Sequence, residues 1–66
     1  SYRPYYSEAH FALGLFYHDL SVNKSGAIID LANHQKAIGQ MEYILQNLNP
    51  KDTQAKQYLE TWNKEK

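Results

Sequence analysis

The residues best suited to chemistry are three histidines, His10, His18 and His34. Two histidines four apart on a helix turn both imidazoles toward one metal ion, and no pair here has that spacing. Asp30 and His34 are four apart, but one carboxylate and one imidazole are an incomplete ligand set. The absence of cysteine removes disulfides, thiolate zinc sites and a thiol nucleophile. No serine stands in a Gly-x-Ser-x-Gly elbow. The expectation is therefore a chain with no catalytic residues, no metal site, no cofactor and no enzymatic activity of its own. A metal or small-ligand sensor is a reading that only the histidines support.

The chain of 66 residues holds one small domain at most, near the lower limit for a core without staples. Seven basic and seven acidic residues cancel and are scattered, so no footprint for nucleic acid is present. The longest apolar run is far below the roughly 18 residues of a membrane span, and no charged-then-apolar leader opens the chain. The start at Ser1 and the lysine-rich Asn63–Lys66 tail suggest the C-terminal end of a longer protein. Its compartment is not specified, and the cytoplasm is the default.

Helical periodicity organises what remains. Ser1–Tyr6 is aromatic and interrupted by Pro4, which predicts a non-helical lead-in, with Ser7 as N-cap of a helix ending near Leu20. Ala9, Ala12, Leu13, Phe16, Tyr17 and Leu20 recur at three and four and predict the buried stripe, leaving Phe11 and Leu15 for a second surface. Ser21–Gly26 is the clearest breaker. Ala27–Ala32 fits a strand or a helical turn and is read as helix. Ile28, Leu31, Ile38, Met41, Leu45 and Leu48 form the face of a second helix or of two abutting ones, with Gly39 expected at a close approach. Pro50 ends that segment, Asn49 or Asp52 caps the next, and Thr53–Asn63 places Ala55, Tyr58, Leu59 and Trp62 on one side.

The chain also echoes itself: Pro4 precedes Ala9 and Leu13 as Pro50 precedes Ala55 and Leu59. His10-x2-Leu13-Gly14-x2-Tyr17, then Ala37-x3-Met41, then Pro50 resembles the tetratricopeptide repeat, whose pattern is Trp-x2-Leu-Gly-x2-Tyr, Ala-x3-Phe and Pro over roughly 34 residues. His10 and Met41 replace the family's tryptophan and phenylalanine. Between Gly14 and Ala37 the chain is about eleven residues longer than the family spacing, and one more residue is added before Pro50. The resemblance implies an all-α fold, an antiparallel helical hairpin with an enlarged turn and a third, capping helix. Ala9, Leu13, Gly14, Tyr17, Ala37, Met41 and Pro50 become the repeat core, with the small Gly14 and Ala37 at the helix crossing.

In that family the inner face of the first helix receives peptides, which implies Glu8, Phe11, Leu15, His18 and Asp19 here. No lysine, arginine or asparagine stands among them, so an acidic peptide terminus does not fit, whereas an apolar peptide, a neighbouring repeat or the chain's own tyrosines would. Phe11, Leu15, His18, Ile28 and Leu31 are the candidate partner-binding residues. Tyr58 and Trp62 are read as core rather than as interface anchors. The expected function is a protein interaction or scaffolding module, binding a protein, a peptide or its own copy. A homodimer could form by helix exchange across the long turn. The alternative is a structural or oligomerising C-terminal appendage of a larger enzyme or membrane-bound protein.

Overall fold

Two aspartates mark where helices begin. The Asp30 carboxylate accepts from the amide of Asn33 at 3.1 Å, and that of Asp52 accepts from the amide of Ala55 at 3.0 Å. Each satisfies one of the donors a helix start leaves unpaired. A computed structural model describes residues 4–65 and is all-α. Helix α1 spans Pro4–Ser21, α2 spans Leu31–Tyr43 and continues into a π-helical turn at Ile44–Leu48, and α3 spans Thr53–Lys64. No strand is formed among the described residues, only an isolated antiparallel bridge between Val22 and Ile28.

The register between α1 and α2 is antiparallel. His10 meets Gln40 and Tyr43, Gly14 meets Ala37 and Met41, and His18 meets His34. The two helices thus form a hairpin. Helix α3 lies beside it, with Tyr58 against Phe11 and Trp62 against His18. Ala37, Met41, Ile44, Ala55 and Trp62 are the buried core, flanked by Phe11, Tyr17, Ile38, Leu45, Leu48 and Leu59.

Several expectations are corrected. Helix α1 starts at Pro4 instead of at a Ser7 cap, because proline fits the first turn, where its missing N–H has no bond to lose. Ser7 is buried. Of the lead-in, Ser1, Tyr2 and Arg3 lie outside the described residues, as does Lys66. The apolar stripe of α1 is not its buried face: Ala9, Ala12, Leu13, Phe16 and Leu20 are exposed. The buried residues of α1 are instead Ser7, Gly14 and Ser21, spaced seven apart, and half-buried His10, Phe11, Tyr17 and His18 complete that side. Small residues along a seam let helix backbones approach closely, and closeness was what decided the face.

Residues Ala27–Asp30 are not helical. Asn23 holds the loop, its side-chain oxygen accepting from the amides of Ser25 and Ala27 and from the Ser25 hydroxyl. Gly26, at φ +87°, takes the left-handed conformation that the reversal needs. The carbonyl of buried Ser21 then accepts from the amides of Ile29 and Asp30, fixing the entry to α2. Gly39 marks no close approach, since a methyl group there would meet nothing within 4 Å. Ile44, left off the predicted face, is fully buried. Ile44 still sits in α register, its amide donating to the Gln40 carbonyl, and it continues the buried row of His34, Ala37 and Met41 at spacings of three and four. The wider turn begins after it, where the Asn49 amide donates to the Ile44 carbonyl five residues back at 2.7 Å.

Candidate functional site

The predicted partner-binding residues separate into two groups. Phe11 is half-buried, edge-on to Tyr58 with ring centroids 5.5 Å apart, and His18 lies flat on Trp62 at 4.5 Å and 9°. Helix α3 therefore engages both. Leu15 and Leu31 are exposed, while Ile28 is half-buried at its bridge to Val22. Of the predicted repeat core, Gly14, Ala37 and Met41 meet at the crossing and Tyr17 packs against the core under the Lys36 ammonium group. Ala9 and Leu13 face solvent, and Pro50 is exposed in the turn before α3.

The outer side of α1 is left uncovered by this packing. Leu13 is 41% exposed, Phe16 57% and Leu20 46%. With Ala9 and Ala12 they recur at helical spacing and form one apolar face. Ile29, 65% exposed, is tied by its amide to the Ser21 carbonyl beside the end of that face. Single exposed apolar residues need no explanation, whereas these share one helix face.

A second constellation brings one residue from each helical segment together. His18 comes from the last turn of α1, His34 from the first turn of α2, and Glu65 from the residue that caps the end of α3. Both Nε2–H groups donate to the same oxygen, Glu65 Oε1, at 2.7 Å from His18 and 2.9 Å from His34. The side chain of His34 is only 5% exposed, that of His18 20% and that of Glu65 26%. Partial burial opposes ionisation of Glu65, but the hydrogen bonds and charges of the two histidines outweigh it and hold the carboxyl below its ordinary value. Nothing in the spacing of residues 18, 34 and 65 announces this cluster. Asp30, the carboxylate paired with His34 by spacing, is engaged instead by the amide and side chain of Asn33.

The cluster opens on a shallow cavity of about 380 Å³ lined in part by His18, Tyr58, Trp62 and Glu65. His10, the third histidine, lies apart from it: its Nδ1–H donates to Gln40 Oε1 at 2.6 Å and its ring packs on Tyr43. No helix among the described residues is long and apolar enough to cross a membrane. Comparison with known families, with curated proteins and with solved structures finds no match to this chain.

Proposed function

We propose that the chain is a protein interaction module of tetratricopeptide-repeat type, without catalytic activity of its own, which packs the outer face of α1 against a helix of its partner. The observation that carries this reading is the exposure of Leu13, Phe16 and Leu20 on a helix whose fully buried residues are serine and glycine. An amphipathic helix normally turns its apolar stripe to the core. Here the hairpin closes without it, so the stripe is available to a second apolar helix. Helical repeats stack because one unit cannot cover its own apolar surface, and the resemblance of His10–Tyr17 and Ala37–Met41 to such a repeat supports a helical partner.

The face also serves self-association when no other partner is present. Light scattering behind a sizing column, over a dilution series, tests it. The expected result is a mass that climbs above the monomer with concentration and returns to the monomer in Phe16→Glu with helix content intact. A mass that rises equally in the variant would remove this face from the reading.

A further inference from the structure

We propose that His18, His34 and Glu65 form a binding site for a borderline divalent metal ion of the zinc class, which clasps the ends of all three helices. One nitrogen of each imidazole and one carboxylate oxygen lie within 4.8 Å of one another. They already converge on a single point, since both rings aim Nε2 at Glu65 Oε1. Two imidazoles and a carboxylate are ligands that zinc accepts, and three protein ligands leave a position for water.

The rings are held before any metal arrives. His34 is buried at the start of α2, and His18 is pinned by the face of Trp62. Ligation needs the Nε2 lone pair, so each neutral ring carries its proton on Nδ1 in the bound form. Zinc bonds of about 2.0–2.1 Å in a tetrahedral arrangement set neighbouring ligand atoms about 3.3 Å apart. The present Nε2–Oε1 separations of 2.7 and 2.9 Å must widen by about half an ångström, while the two imidazole nitrogens, within 4.8 Å of each other, must close to that same spacing. Glu65 can supply the widening, because it follows α3 in extended conformation and is the most exposed of the three. His18, more exposed than His34, can supply the approach by sliding across the face of Trp62. The adjoining cavity gives an ion a route to the site. This site is separate from the outer face of α1, so either proposal can fail without the other.

The test is zinc titration of the whole chain after chelator treatment, followed by thermal unfolding and by long-range proton–nitrogen NMR of the imidazoles. Binding of one equivalent should raise Tm by about 10–20 °C when free zinc reaches a hundred times Kd. The Nε2 resonances of His18 and His34 should shift while those of His10 do not. His34→Gln and Glu65→Gln should each lose the Tm rise, and His10→Gln should keep it. The imidazole spectra need no variant, so a variant that fails to fold leaves the test intact. Unmoved Nε2 resonances, an unchanged Tm, or a rise that survives Glu65→Gln would each overturn the proposal.

Discussion

Gly14 lies directly against Met41: a Cβ added at Gly14 would stand 2.5 Å from Met41 Cε and 3.3 Å from Gln40 Cβ. The hairpin closes at this point because α1 presents no side chain there. Met41 is fully buried, so its methyl end has little room to retreat. Gly14→Ala therefore trades a helix-propensity gain of about 1 kcal/mol against overpacking of about 1–3 kcal/mol. The expected outcome is a lower Tm. Gly39→Ala makes the same propensity gain with open space around the new methyl, and it should stabilise by about 1 kcal/mol. Thermal unfolding of the two variants should give shifts of opposite sign.

The caps of α2 and α3 supply a second prediction. Asp30→Ala and Asp52→Ala each remove a side-chain acceptor from a helix start, at a cost of about 1 kcal/mol. Asp30 also accepts from the Asn33 side chain at 2.9 Å, so its loss should be the larger. Urea unfolding should show both midpoints lowered with little change in slope.

Glu65 gives the chain an acid-sensitive contact. Its folded pKa lies below 4.5; the stability it contributes is complete above that value and is lost as pH falls through the lower, folded one. Glu65→Gln should flatten the decline of stability in the acid range, where the wild-type carboxylate takes up its proton. Thermal melts over an acid pH series, in chelator, measure the difference.

What was legible in the sequence is local. A cap at Asn49 or Asp52, of which Asp52 serves, the breaker at Ser21–Gly26, the end of the second helical segment before Pro50 and the inward turn of Ala55, Leu59 and Trp62 all follow from short-range chemistry. Tyr58, read as core, is instead exposed. The small pair Gly14 and Ala37 also meets as their sizes required. The buried side of α1 was not legible from hydropathy, because Leu13 and Phe16 outweigh Ser7, Gly14 and Ser21 on any apolar count, whereas the hairpin selects for close approach. Ile44 escaped because the predicted face runs through Ile38, Met41, Leu45 and Leu48, whereas the buried row is His34, Ala37, Met41 and Ile44, half of it polar or small. The His18, His34 and Glu65 cluster depends on three helix ends meeting in space, and no periodicity within one helix encodes that.

The central claim is that the outer face of α1 is a docking surface, and a dilution series of amide proton–nitrogen spectra tests it residue by residue. The account predicts concentration-dependent shifts confined to Ala9, Ala12, Leu13, Phe16 and Leu20 and their neighbours, with the amides of α3 unmoved. Spectra that stay constant at every concentration, or shifts centred on α3, would contradict it.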